Sequence, residues 1–427
     1  MPGPTAGQDS ARNAMPEDQA IVVIDVGTTK VCALVGEPAN GNGLRVLGVG
    51  VCPSHGLRKG IVIDLHRASQ SIVAAVDKAQ RTSGMAIKEA YVGITGAHIA
   101  CKNSKGVVAI SRSDHMITHE DVHRAVEAAR AVTMPANCEI LHVIPRSFVV
   151  DGQEGIKDPI GLKGIRLEVE VHIVTGATTS IQNLVQCAQR AGIEVSDLVL
   201  EPLASSEAVL TDEEKELGVV LADVGGGTTD IAIFIGGNIW YSKVLPVGGN
   251  HLTSDIAFGL RLPFATAEEV KIRYGHALPA TIPEEETFEV AGFGSEHLTI
   301  RRRQLAAIIE PRVREIYALL MDEIKRSGYD GLLPAGVVLT GGSASLAGMA
   351  ELGRAELDLP LRIGVPHSLT GLADTITGPA YSTGVGLLLW ALRQNTEEAP
   401  TPPTGWEPKD LWGKILKWLR SFLPQNR

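Results

Sequence analysis

The chain has 427 residues, 44% of them hydrophobic and 21% charged, enough for roughly two to four compact units; a peptide, a mini-protein and a disordered chain are excluded. With 49 Asp and Glu against 39 Lys and Arg the net charge is −10, which argues against a general nucleic-acid binder. The five cysteines, Cys32, Cys52, Cys101, Cys138 and Cys187, are odd in number and contain no C-x-x-C pair, so no disulfide framework or zinc ribbon is indicated and a reducing cytoplasm fits.

Residues 1–18 are polar and rich in Pro and Gly, with neither the basic start nor the apolar run of a signal peptide, and are expected to form a disordered tail. From Gln19 short β-branched runs (IVVID, VCALVGE, LRVLGVGV) precede a helix-period stretch over Leu65–Thr82, a succession that predicts an α/β fold. Residues 88–168 carry strand runs of their own (YVGITG, VVAI, ILHVIPRSFVV) and a helix starting near Thr118, enough for a small subdomain. A second cycle opens at Val219 with VVLADVGGG, continues through DIAIFI and turns at Gly236-Gly237-Asn238 into IWYSKVLPV. In both cycles an apolar strand ends in Asp-Val-Gly, adds Thr-Thr and runs into another strand; Asp25 and Asp223 stand 198 positions apart, which reads as domain duplication.

A charged stretch at 271–303, including PEEETFEVAGFGSEH, interrupts the second half as another small subdomain before a helix from about Gln304 to Ser327. The most nearly membrane-like run, VGLLLWAL at Val385–Leu392, is shorter than the about 18 apolar residues a spanning helix needs. Residues 394–405, QNTEEAPTPPTG, predict an extended linker. Beyond it, residues 406–427 place Leu411, Trp412, Ile415, Leu416, Trp418, Leu419, Phe422 and Leu423 at spacings of mainly three and four, one apolar helical face. From Glu407 onward five cations face two acids, a local net of +3, the pattern of an in-plane helix on anionic lipid. Its core of about 16 residues would span roughly 24 Å at ~1.5 Å per residue, too short and too charged to cross a bilayer.

The two Asp-Val-Gly turns carry the strongest chemical signal. A strand that ends in Asp and doubles back through Gly and Thr offers backbone N–H groups and hydroxyls to an anion, and glycine lets the main chain approach phosphate oxygens. Gly27, Thr28, Thr29 and Lys30 would take one side of a triphosphate, and Gly225, Gly226, Gly227, Thr228 and Thr229 the other; Asp25 and Asp223 would act on Mg²⁺ or its water shell. A third turn, Gly341-Gly342-Ser343 after strand Val337 to Leu339, suits a base or ribose, and Glu268, Lys271 and Gly275 lie along one helical face within reach of the same groups. His119-Glu120-Asp121-Val122-His123 fits the H-E-x-x-H zinc-protease pattern, but Thr118 with Asp121 reads as an N-cap box that puts His119 in an exposed first turn, and no third ligand is apparent.

Two phosphate hairpins, a GGS turn and the late helix G-P-A-Y-S-T-G-V-G, in this order, resemble the actin, sugar-kinase and heat-shock-chaperone superfamily of ATPases. Within it the chain resembles the FtsA family of bacterial cell-division proteins from about Ile21 to Leu392, on segments such as CPSHGLRKGIVIDL, VGGNHLTSDIAFGL, EPRVREI and GLADTITGPAYSTGVGLL. The resemblance implies a two-domain actin-like fold: residues 19–87, 169–202 and 366–393 form the first domain, 203–270 and 304–365 the second. It makes 88–168 an inserted family-specific subdomain contacting other division proteins, and 271–303 the dock for the C-terminal peptide of the tubulin-like protein FtsZ. The run Arg301-Arg302-Arg303 then lies at the family's basic FtsZ-binding position, with Arg302 the nearest match. It further implies ATP and Mg as cofactors, self-association into filaments, and a peripheral place on the cytoplasmic side of the membrane at the division site. By the same resemblance turnover is at most that of a weak ATPase, with no residue identified as the water-positioning base. Two other readings share the clamp: a superfamily small-molecule kinase, which would need a catalytic Asp facing an acceptor pocket, and an actin-like pilus-assembly adaptor, which should lack the Pro-linked amphipathic tail.

Overall fold

The computed structural model describes residues 20–39, 43–131, 135–293, 297–367 and 369–396. The tail expected at 1–18, residues 397–405 of the expected linker and the amphipathic segment 406–427 lie outside them.

Apolar, β-branched runs separated by glycine turns fold into two antiparallel meanders. One comprises β1 (Ile21–Val26), β2 (Lys30–Pro38) and β3 (Leu44–Pro53), with Asp25 opposite Cys32. The other comprises β12 (Val219–Val224), β13 (Thr229–Ile235) and β14 (Asn238–Leu245), with Asp223 opposite Asp230 and with Gly236 and Gly237 at positive φ in the second turn. Each first strand gains two parallel neighbours: β6 (Glu89–Ile94) and β11 (Glu194–Leu200) extend β1, and β17 (Val337–Thr340) and β18 (Leu361–Ile363) extend β12. The orders β3-β2-β1-β6-β11 and β14-β13-β12-β17-β18 are therefore one topology built twice, with a short β19 (Leu369–Gly371) added beside β3. A tight hairpin of β4 (Leu57–Arg58) and β5 (Ile61–Val62) turns through Lys59 and Gly60, both at positive φ.

Helices cover each sheet because their apolar stripes need a partner. α1 (Leu65–Ser83) lays Ala68, Ile72, Ala75 and Ala79 against β3, so closely that a Cβ at Gly50 would lie 1.9 Å from the Ala75 carbonyl oxygen. With it α3 (Thr178–Arg190), α4 (Glu201–Val209) and α10 (Ser382–Thr396) complete the first half, α10 packing on α4 and β1. The second half holds α5 (Asp212–Leu217), α6 (Gly249–Leu260), α7 (Phe264–Tyr274), α8 (Arg302–Ser327) and α9 (Met349–Leu357), with a small hairpin of β15 (Thr287–Ala291) and β16 (His297–Arg301) leading into α8.

The inserted unit is a four-stranded antiparallel sheet of β7 (Ala100–Ala109), β10 (Arg166–Ala177), β8 (Cys138–Val150) and β9 (Gln153–Ile156), covered by α2 (His119–Arg130), with a core of its own that includes Val122, Val126, Phe148 and Val169. Its limits differ from the expected 88–168. The run YVGI belongs to β6, parallel to β1 in the central sheet, while β10 continues to Ala177 as the insert's longest-paired strand. An apolar strand does not declare which of two sheets it joins. Likewise α4, placed with the second half from residue 203, packs Leu203, Ala204 and Ala208 into the first core, and α10 runs three residues into the stretch read as linker. At the start of α2, Asp121 accepts hydrogen bonds from Thr118 N (2.9 Å) and Thr118 Oγ1 (2.7 Å), and His119 is exposed, as the capping reading of the HEDVH run requires.

The insert is fastened to the second half as well as the first. At an irregularity in the β8–β10 ladder, the buried Arg146 guanidinium lies 3.9 Å from the centroid of the Trp240 ring on β14, and Asn238 Nδ2 donates to Arg146 O at 3.0 Å. Beside it His172, 1% exposed, places Nδ1 2.7 Å from Asn103 Oδ1 and Nε2 2.8 Å from Ser242 Oγ. Asn103 Nδ2 donates to Trp240 O, which leaves Oδ1 as the acceptor and fixes the neutral imidazole with its proton on Nδ1.

Burial, with the Arg146 charge second, pushes the His172 pKa down to about 3. The folded chain thus holds this imidazole neutral where the unfolded chain, titrating near ~6.5, takes up a proton. The seam's contribution is complete above pH ~6.5 and is lost as pH falls toward 3, by at most about 1.4 kcal/mol per pH unit. Urea unfolding of the full chain should therefore show a drop in stability between pH 7.5 and 5.5 that is smaller in His172→Gln; equal drops would show that His172 does not titrate on unfolding.

Candidate functional site

The turns β1–β2 and β12–β13 lie at corresponding ends of the two sheets and meet across a cleft of about 440 Å³ between the halves. Their approach is close enough that a Cβ on Gly226 would fall 1.8 Å from Thr29 Oγ1, and one on Gly227 2.6 Å from Thr28 Oγ1. Only glycine permits this spacing. The second turn is braced from behind, where Gly249 N donates to Gly225 O (2.9 Å) and Asn250 N to Gly226 O (2.8 Å) at the start of α6.

Of the residues expected at the phosphates, Gly27, Thr28, Thr29, Lys30, Gly225, Gly226 and Thr228 line the cleft. Two assignments change. Thr229 is fully buried and donates its hydroxyl to Val247 O at 2.9 Å, so its hydroxyl faces the core of the second half. Gly227 packs against Thr28 and the Lys59 backbone, across from the first turn and off the cleft wall. Lys30 Nζ donates to Ala380 O, sits 3.9 Å from Asp25 Oδ2 and lies 5.0 Å from the Tyr381 ring centroid. Burial opposes its charge, but the Asp25 carboxylate leads the group of neighbours that outweigh it and raise its pKa.

Four carboxyl groups share this floor, and two of them escaped the sequence reading. Asp223 Oδ2 accepts from Ser205 Oγ (2.7 Å) and Thr383 Oγ1 (3.1 Å), while Asp230 accepts from Thr95 and from Thr228 (3.0 Å). Glu201, at the start of α4 and 8% exposed, points into the cleft with Oε1 lacking any hydrogen-bond partner. Burial raises the pKa of Asp25 and Asp223, lifts Asp230 to about 7 and drives Glu201 well above the usual carboxylate range, with Asp25 as its largest charged cause. Asp230 was legible as the cross-strand partner of Asp223, and Glu201 as a lone acid between an apolar strand and Pro202; neither spacing forms a recognised motif.

Asp25 and Asp223 fit a magnesium ion in kind, since hard carboxylate oxygens suit it and a dication would relieve the crowding of acids. Among the described residues no cluster of three or more His, Cys, Asp or Glu side chains is arranged to hold a metal, so phosphate oxygens and water would have to complete the shell.

At the other end of the cleft stand Glu268, Lys271 and Gly275, with Gly341, Gly342 and Ser343 opposite. Gly341 takes φ +87, and a Cβ there would lie 2.3 Å from Asp223 Oδ1. Lys271 Nζ bridges Glu268 Oε2 (2.7 Å), Thr253 Oγ1 (2.9 Å) and Gly249 O (3.2 Å), while Ser343 Oγ donates to Gly225 O at 3.1 Å. This end of the cleft is thereby wired to the β12–β13 turn. The arginine triplet splits: Arg301 and Arg303 are exposed, whereas Arg302 turns inward, donates to Tyr274 O and Glu286 Oε1, and lines the cleft. Helical rotation at the start of α8 decides this, and no feature of an R-R-R run could.

The family model for "Cell division protein FtsA" matches residues 220–386, and that for "SHS2 domain inserted in FTSA" matches 96–175, close to the Ala100–Ala177 span of the insert's strands. The chain is 46% identical to the cell division protein FtsA of Pseudomonas aeruginosa over 407 residues, covering 94% of this chain and 97% of the relative. Among solved structures, a PilM–PilN type IV pilus biogenesis complex aligns with TM-score 0.64 at 18% identity, over 87% of this chain and 98% of that one. MreB5 of Spiroplasma citri, solved bound to ADP, aligns with TM-score 0.54 at 16% identity, over 90% of this chain and 100% of that one. These two likenesses establish an actin-like fold, and the near full-length identity decides among its branches: the chain belongs to the FtsA family of cell-division proteins.

Proposed function

We propose that the chain is an ATP-binding adaptor that assembles into filaments and ties FtsZ to the cytoplasmic face of the membrane at the division site. The near-contact of the two glycine turns across the cleft carries this reading. A triphosphate between them is contacted by backbone N–H groups from both halves at once, so ATP favours the closed arrangement that self-association needs. Asp25 and Asp223 hold the accompanying Mg²⁺, in part through water. Glu201, with an unpartnered oxygen beside the acids, is the group best placed to orient a water. Binding is the output.

The exposed cations Arg301 and Arg303, beside the β15–β16 hairpin, are offered to the C-terminal peptide of FtsZ, and the insert to other division proteins. The apolar and basic segment 406–427 serves as the anchor to an anionic membrane surface.

Three outcomes test this. Gly226→Ala should weaken ATP binding by at least roughly 100-fold in calorimetry because its methyl group occupies the Thr29 hydroxyl, and Gly226→Asp should abolish it; unchanged affinity in either refutes the clamp. Deleting residues 406–427 should release the chain from anionic liposomes with ATP affinity intact, and persistent pelleting would remove the anchor. Glu201→Gln should keep ATP binding, lower phosphate release by about tenfold or more, and leave the thermal midpoint unchanged or higher, since it removes a buried unpaired acid.

A further inference from the structure

Arg302, the nearest match to the basic FtsZ-binding position, turns away from the surface that Arg301 and Arg303 present and lines the cleft. It opens α8, with its backbone N donating to Glu286 O at 2.8 Å, so it is rooted where the β15–β16 hairpin begins. Its side chain leaves that hairpin and reaches α7: Nε donates to Tyr274 O at 2.9 Å, and Nη1 to Glu286 Oε1 at 2.8 Å. Both bonds lie in the guanidinium plane, which fixes the plane and leaves its faces free of hydrogen bonds. Tyr274 is followed by Gly275, where a Cβ would stand 2.8 Å from Leu346 Cδ1, so the end of α7 and the Leu346 turn touch beside the guanidinium. Ile272, Leu346 and Ala347 supply apolar walls to the same end of the cleft, and Ala277 N donates to Ala347 O at 2.7 Å, holding those walls together.

We propose that the Arg302 guanidinium is the outer wall of the base end of the cleft and stacks on the purine ring of the bound nucleotide. A flat, charged, half-buried group held edge-on by two acceptors is the chemistry that packs on an aromatic face, and a lysine ammonium is not. The adjacent Arg301 and Arg303, exposed and outside the cleft, keep their outward role. The proposal rests on the nucleotide reading of the cleft and assigns the part that selects a base.

The test is calorimetric titration of the full chain with ATP and, separately, with inorganic tripolyphosphate, which engages the glycine turns without a base. Arg302→Ala should weaken ATP on the order of 5- to 30-fold while tripolyphosphate binding changes less than about twofold. Arg302→Met and Arg302→Lys, which keep the stem and lose the plane, should show most of the same loss. A role confined to joining Tyr274 to Glu286 would weaken both ligands together; that result, or unchanged ATP affinity in all three variants, overturns the proposal. If the unmodified chain binds neither ligand, the nucleotide reading itself fails.

Discussion

The site depends on how closely two peptide turns can approach. With a Cβ at Gly226 the second turn would overlap the Thr29 hydroxyl, so the cleft exists in this form only because glycine stands there and α6 braces the turn from behind. Everything else that faces the cleft is arranged around that approach. The duplicated sheets deliver the turns from opposite sides, and the closing helix α10 returns the chain to the first half, so the gap is bounded by the two halves.

The floor of the gap is electrostatically incomplete. Four carboxyl groups are gathered with Lys30 as the nearest cation, and burial raises the pKa of each. Such a group of acids is poorly satisfied by protein alone, and the orphaned Glu201 oxygen is the local sign of that. A dication with its waters would lower those pKa values and supply a partner for the unpaired Glu201 oxygen.

The insert adds a second connection between the halves. It is hinged on the first half through its chain ends, yet its contacts with β14 run through Arg146, Asn103 and His172 to Trp240, Asn238 and Ser242. β14 neighbours β13, whose turn faces the cleft, and Tyr241 on β14 donates to Glu323 on α8 at 2.6 Å. The insert and the second half are therefore joined by directional bonds, of which the His172–Ser242 bond is buried.

Sequence determined the architecture because its signals are local: β-branched runs, glycine at each turn, the repeated Asp-Val-Gly, the capped helix at Thr118 and the Gly341-Gly342 turn all act within a few residues. The two glycine turns that meet at the cleft were legible for the same reason, each with its strand-ending Asp25 or Asp223. What tertiary structure alone decided are relations between distant segments. It assigned the strand at residues 89–94 to the central sheet, since parallel pairing leaves no local mark, and it buried Thr229 against Val247 although its neighbour Thr228 faces the cleft. It brought Glu201 and Asp230 to the acids from different elements, and it turned Arg302 inward between two outward arginines. Side-chain direction at those positions follows from the rotation and register of whole elements against one another, a property of the packed chain that no short window of residues contains.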